Sequence, residues 1–287
     1  MAEGNNIQRG TLREGQLTPE SLAAYHEHGH LLLPQLVPRE DLEALRDEVS
    51  DCWRRIKGED SYHEENTWLQ NALFPDIHHY SPLARKYYWN SPLLGVLGQL
   101  IGPNVKGSTT QLTFKVCGNT KNFEWHQDNG YGHLSPYNSA TSLLALDDVT
   151  VEPVDNGCLR IVPGSHKRGQ IGKALTAKEK TDGVQIEIDV EGEGVPAAMR
   201  AGDVLIFHCH MVHRSMGNFS DGDRRILFCR FSDADAVEIY NESKPRLGRL
   251  LMGESKFPEV TAFEADLPFK QLPAPAEEPP SKKLRAE

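Results

Sequence analysis

The sequence predicts a mainly β domain with flanking helices, its strands folded into an antiparallel sandwich or barrel. Three observations carry this. Between Val105 and Phe231, short apolar or alternating runs recur between turn residues, the pattern of all-β sandwiches and barrels. The clearest helix signals, Thr18-Pro19-Glu20 and Pro38-Arg39-Glu40-Asp41, come before that region. The length of 287 residues suits one such domain with extensions, since all-β domains often run to ~200–250 residues.

Taken in order, residues 1–17 are polar and glycine-rich and read as a flexible arm. Thr18 is an N-cap with Pro19 at the first helical position, and the helix should run to about His28 and stop at Gly29. Leu31-Leu32-Leu33 is a short buried strand ended by Pro34. A second helix opens at Pro38 and places Leu42, Leu45, Val49, Cys52 and Trp53 on one face. Residues 57–81, with Tyr62, His63, Trp68, Phe74, His78, His79 and Tyr80, show no period and read as a long loop beside the site, with a lid as one option. Ser91 to Ile101 looks helical and ends at Gly102-Pro103.

Strands follow at Gln111–Cys117, Phe123–Asp128, Ser142–Leu146, Cys158–Val162, Gln185–Val190, Val204–Cys209 and Arg225–Phe231, with a turn at Asp155-Asn156-Gly157. Residues 243–256 read as a final helix or turn. The domain spans 18–267 with its strand core at about 105–235, and the Pro/Glu-rich tail 268–287 has a disordered composition.

A formal net charge of −10 argues against non-specific binding to nucleic acid or anionic membranes. Five cysteines, an odd number without a C-x-x-C pair, fit neither a disulfide framework nor a zinc knuckle, so the chain reads as reduced and cytoplasmic. No apolar signal segment opens it, and no run of ~18 apolar residues would cross a membrane.

The chemistry centres on Trp125-His126-Gln127-Asp128. Residues i and i+2 of a strand share a face, so His126 and Asp128 can ligate one metal ion as neighbours. A histidine from another strand would complete a 2-His-1-carboxylate set, which leaves open metal positions and is typical of non-haem Fe(II) oxygenases. His208, His210 and His213 are the downstream choices. His63, His78 and His79 read as solvated or hydrogen-bonded side chains, and His166 as a turn residue.

Several further motifs accompany this pair. They are Leu144-Ala145-Leu146-Asp147-Asp148, Asn156-Gly157-Cys158-Leu159, Pro163-Gly164-Ser165-His166, Gly202-Asp203, and His213-Arg214-Ser215-Met216-Gly217-Asn218 through Arg224-Arg225. On these residues the chain, from about His28 to Gly253, resembles the phytanoyl-CoA dioxygenase (PhyH) family of Fe(II)/2-oxoglutarate-dependent oxygenases. The resemblance implies a double-stranded β-helix, the jelly-roll or cupin-like fold. It selects His213, which opens the family's His-x-Ser-x-x-Asn run, so that His126, Asp128 and His213 form the catalytic metal triad. It also implies that Arg224, eleven residues on, anchors the distal carboxylate of 2-oxoglutarate with help from Ser215. Arg225 stays open as the alternative, and Thr113 matches a polar position near the other end of the keto acid.

The implied cofactors are Fe(II), 2-oxoglutarate as co-substrate, and O2. The implied reaction is hydroxylation of a C–H bond with release of succinate and CO2. Desaturation, epoxidation or ring formation by the same oxidant is the alternative, as is a jelly-roll metalloenzyme that does not use 2-oxoglutarate. Relatives that halogenate carry a small residue where Asp128 stands, so the carboxylate argues against halogenation. Without a cationic cluster for a CoA diphosphate, the expected partner is a free small molecule, an amino-acid derivative or an intermediate of secondary metabolism. Trp125, Tyr131 and His133 are candidate pocket residues, and the oligomeric state is left open, a homodimer among the options.

Overall fold

A computed structural model describes residues 7–57, 72–171 and 188–274. The chain enters through a two-stranded pair, β1 (Leu12–Arg13) and β2 (Gln16–Leu17). Helix α1 (Pro19–His28) starts where the sequence places it: the Thr18 side chain accepts from Ser21 N, and Gly29 closes the helix at φ 78°, a left-handed value that favours glycine. Strand β3 (His30–Leu33) is buried throughout. Within the segment read as an arm, Gly10 N donates to Leu32 O at 2.9 Å and Leu32 N to Gln8 O at 2.7 Å, so residues 8–10 lie along β3.

Helix α2 (Arg39–Ile56) buries the expected face, with Ser50 added. Residues 58–71, including Tyr62, His63 and Trp68, lie outside the described residues. The rest of the expected loop is ordered differently: β4 (Leu73–Pro75) pairs with the sheet, and a 3-10 turn spans Ile77–His79. Helix α3 (Pro82–Trp89) was not anticipated, although Ser81 caps it and Pro82 opens it. Helix α4 (Leu94–Leu100) falls inside the span expected to be helical.

The strands that follow are β5 (Val105–Lys115), β6 (Phe123–His126), β7 (Leu134–Ser135), β8 (Ala140–Ala145) and β9 (Leu159–Ile161). Next come β10 (Val195–Pro196), β11 (Val204–His208), β12 (His213–Ser215) and β13 (Arg224–Asp233). Last are β14 (Val237–Glu238), β15 (Lys244–Pro245) and β16 (Arg249–Met252). Within the expected helix or turn at 243–256, residues 244–245 and 249–252 are strand and none is helical, and a short helix α5 (Pro258–Ala262) comes after it. Of the strand expected at Gln185–Val190, residues 185–187 lie outside the described set and 188–190 are not strand.

The strands form a large antiparallel sheet, ordered β16-β5-β13-β8-β11-β3 with β4 against β5, and a smaller one, ordered β10-β9-β12-β6. This is the jelly roll. Alternation along the large sheet divides the core in two. Leu31, Leu33, Leu112, Phe114, Leu144, Ile206 and Leu227 pack with the apolar face of α2. Leu32, Leu143, Ala145, Leu205, Phe207 and Ile226 pack with Leu159 and Ile161 of the small sheet. Both faces of the large sheet are covered, which is why its central strands read as continuous apolar runs.

Past Pro268, the Arg85 guanidinium lies 3.5 Å from the Phe269 ring centre and Lys270 N donates to His79 O at 2.8 Å. Residues 275–287 lie outside the described set. Among the described residues no helix is long and apolar enough to cross a membrane.

Candidate metal centre and co-substrate cavity

His126 ends β6, and its Cα partner across the ladder is His213, the first residue of β12. Gln127 keeps an extended backbone (φ −117°, ψ 138°), and Asp128 opens a 3-10 turn over Asp128–Tyr131. The strand expected to run through Asp128 thus stops at His126, but one extended residue preserves the i, i+2 relation. Gln127 points away: its amide donates to Gly169 O and His210 O and accepts from Ile171 N.

Asp128 Oδ1 lies 3.9 Å from His126 Nε2 and 3.6 Å from His213 Nε2. The far ring nitrogens settle the tautomers. His126 Nδ1 is 2.6 Å from Glu124 O and His213 Nδ1 is 3.0 Å from Met211 O. A carbonyl only accepts, so each Nδ1 carries a proton, and in the neutral ring Nε2 is left with the lone pair. Burial, with His213 beside it, pushes the His126 imidazole down to about 4, so it is neutral at ordinary pH. Thr141 Oγ1 donates to Asp128 Oδ2, which leaves Oδ1 facing the histidines. Two lone pairs and a carboxylate oxygen converge in a buried place, and a divalent cation suits that donor set.

The other histidines stand apart from Asp128. His210 Nε2 accepts from the Asn129 side-chain amide at 3.2 Å, and His208 Nδ1 accepts from His210 N at 3.1 Å. His166 Nε2 lies 3.1 Å from His26 O. His78 and His79 share Glu264, at 3.0 to 3.1 Å.

Alternation on β13 separates the two arginines. Arg225 turns toward the helices: its Nε and Nη2 meet the two Asp147 carboxylate oxygens at 2.7 and 2.9 Å, and its Nη1 meets Ser50 Oγ at 3.1 Å. Arg224 turns between the sheets and is 1% exposed, with Nη2 donating to Gly157 O at 2.9 Å. Gly157 has φ 96°, and a Cβ there would stand 3.0 Å from that Nη2, so the Asn-Gly pair makes room for the guanidinium. Lys115, a residue the sequence reading passed over, lies fully buried beside Arg224, and burial pushes its amine well below the usual range.

A cavity of about 280 Å3 runs between the sheets past the triad. Thr113, Ser215 and Arg224 line it, as do Leu143, Leu159, Phe207, Ile226 and Phe228. Farther along β13 and β5 lie Gln111, Thr109 and Arg230, joined by Tyr131 and Arg246. Of the aromatic candidates Tyr131 reaches the cavity, its ring 5.4 Å from that of His126. Trp125 does not; it packs with Ile188 and Val212 beneath the Arg214 guanidinium. His133 stacks on Tyr137 instead. Arg230, Arg246 and Thr141 were missed by sequence reasoning. Counting by twos along β13 from Arg224 would have found Arg230.

A family model described as "Phytanoyl-CoA dioxygenase (PhyH)" matches residues 25–226. The chain is 23% identical over 262 residues to phytanoyl-CoA dioxygenase 1 of rice, an alignment covering 78% of this chain and 92% of that one. It is 25% identical over 261 residues to an ectoine dioxygenase of Halomonas elongata, covering 84% and 78%. Among solved structures, EctD from S. alaskensis with 2-oxoglutarate and 5-hydroxyectoine has a similar fold, with a TM-score of 0.65 at 19% identity over 88% of this chain and 95% of that one.

Proposed function

The chain belongs to the phytanoyl-CoA dioxygenase family, and from that premise we propose that it hydroxylates a C–H bond of a small molecule, with release of succinate and CO2. It is a non-haem Fe(II)/2-oxoglutarate-dependent oxygenase. His126, Asp128 and His213 hold the iron, Arg224 and Ser215 take the distal carboxylate of 2-oxoglutarate, and Thr113 lies near its other end. The observation that carries this reading is the single cavity that joins the triad to a buried guanidinium on the facing sheet.

Bound iron and 2-oxoglutarate supply the oxidant from O2. The chain's residues do the rest. His126, Asp128 and His213 would hold a metal through three ligands and so would leave coordination positions free for co-substrate and O2. The Arg224 fork can grip a carboxylate through two parallel hydrogen bonds and so set the keto acid's direction. Leu143, Leu159, Phe207, Ile226 and Phe228 keep water from the reacting C–H. The cavity, about 280 Å3, sits below the ~300–1,000 Å3 usual for drug-sized ligands. With 2-oxoglutarate sharing it, the part of the substrate held inside is small, and an acyl-CoA is not held whole within it.

The test is an anaerobic titration of the metal-free protein with Fe(II) and then 2-oxoglutarate, followed by substrate screening for succinate release. The expected result is a weak visible charge-transfer band that needs both additions, and a product heavier by one oxygen atom. Iron binding without the band would overturn the use of 2-oxoglutarate. A product lighter by two hydrogens would replace hydroxylation with desaturation.

A further inference from the structure

Both ends of the cavity are cationic, and 2-oxoglutarate accounts for only one. Arg224 and Arg230 lie six residues apart on one face of β13, about 20 Å at ~3.3 Å per residue. Arg230 is 7% exposed. Its Nη1 donates to Asp128 O at 3.2 Å and its Nη2 to Asn129 Oδ1 at 3.3 Å, while its Nε is buried with no hydrogen-bond partner among the described residues. A second guanidinium, Arg246, reaches the same end, with Nη1 2.6 Å from Glu238 Oε1 and Nη2 3.5 Å from Thr109 Oγ1. The two meet across Gly132: a Cβ on that residue would lie 3.2 Å from Arg230 Nη1 and 3.7 Å from Arg246 Nη1.

Pairing the charged side chains that line the cavity leaves one unmatched. On the assignment above, Arg224 is neutralised by the distal carboxylate of 2-oxoglutarate. Asp128 and the other carboxylate of 2-oxoglutarate neutralise the divalent metal. Glu238 neutralises Arg246. The charge of Arg230 remains, in a cavity where burial strengthens electrostatic interactions.

We infer that the substrate carries a carboxylate, and that Arg230 with Arg246 binds it at the end of the cavity opposite Arg224. Anchored there, beyond the metal, a small acid would lay its carbon chain across the open side of the triad. A neutral substrate would leave the Arg230 charge buried and uncompensated, so the site discriminates against amides and esters of the same shape. The inference rests on the metal and 2-oxoglutarate positions proposed above.

The probe is acetate, small enough to fit whatever the substrate's shape, with acetamide as its neutral counterpart. Each is titrated by calorimetry at constant ionic strength into the full chain loaded anaerobically with Fe(II) and saturating 2-oxoglutarate, while the visible band reports that the co-substrate stays bound. Acetate should bind at one site about tenfold or more tighter than acetamide. Arg246→Leu, at a partly exposed position, should weaken acetate about tenfold and leave the 2-oxoglutarate titration unchanged. Arg230→Gln should abolish acetate binding in protein whose circular dichroism is native. Acetate no tighter than acetamide, or unaffected by Arg246→Leu, or binding only as the band is lost, overturns the inference while the metal reading stands. Absence of any band overturns both.

Discussion

His126 and His213 stand directly opposite each other across β6 and β12, their rings 4.2 Å apart centre to centre. Two imidazoles so close, each with its proton held on the far nitrogen by a backbone carbonyl, oppose lone pair to lone pair, and Asp128 Oδ1 adds a third acceptor. A cation relieves that opposition. His126→Ala and Asp128→Ala should therefore each abolish stoichiometric iron binding and turnover. Folding stability should change by less than about 2 kcal/mol, because none of these side chains is part of the apolar clusters. Metal analysis after anaerobic loading, beside a thermal melt, checks both. Full iron content in either variant would displace the site.

Arg224 and Arg225 are neighbours with opposite surroundings, and their variants should separate. Arg224→Met removes the buried fork from the cavity and should raise the 2-oxoglutarate requirement by about 100-fold, with a much smaller effect on the substrate KM. Arg225→Met breaks a bidentate pair with Asp147 outside the cavity and should cost about 2 kcal/mol of stability with the 2-oxoglutarate requirement unchanged. Steady-state kinetics and denaturant titrations of the two variants decide. A co-substrate effect in Arg225→Met would exchange their roles.

His126 and Asp128 were placed by strand periodicity, and helices α1 and α2 by their caps and faces. Helix α3 was hidden because the Ser81-Pro82 start follows an aromatic stretch whose lack of period masked it. Strands β15 and β16 are too short to show alternation, so residues 243–256 looked like a helix or turn. The choice between Arg224 and Arg225 depends on which face of β13 turns toward the small sheet. A strand buried on both sides, such as Ile226-Leu227-Phe228, gives no polar face from which to tell. Thr141 and Arg230 reach Asp128 only because β8 and β13 are paired, and that pairing is not visible in local sequence.

Thr141 holds the carboxylate that faces the histidines. Its hydroxyl donates to Asp128 Oδ2 and fixes the rotation that brings Oδ1 toward both Nε2 atoms. Thr141→Val keeps the shape and removes the donor. Metal affinity should fall about 10-fold or more, as for other partners that orient a ligand, with little change in fold. Competition with a chelating dye measures this apart from turnover. An unchanged affinity would mean that the turn alone orients Asp128.

His30 ties the segment around residue 8 to β3 and makes that attachment sensitive to acid. It is fully buried, and its Nε2 accepts from Gln8 N at 3.2 Å while Nδ1 lies 3.2 Å from His28 O. Nδ1 keeps its proton and donates to the carbonyl while an amide N–H faces Nε2, so only the neutral ring fits. Burial accordingly pushes its folded-state value from 6.5 down to about 4. Above pH 6.5 the ring is neutral folded and unfolded, and it imposes no penalty. As pH falls from 6.5 to about 4 the unfolded chain takes up a proton that the folded chain refuses, so stability is lost across that window and levels off below it. A displacement of this size corresponds to about 3 kcal/mol. Denaturant titrations of wild type and His30→Gln at pH 7.5 and pH 4 should show the variant losing less stability on acidification, by a difference of that order. Equal losses would mean that the ring is protonated in the folded chain and that Gln8 does not hold against it.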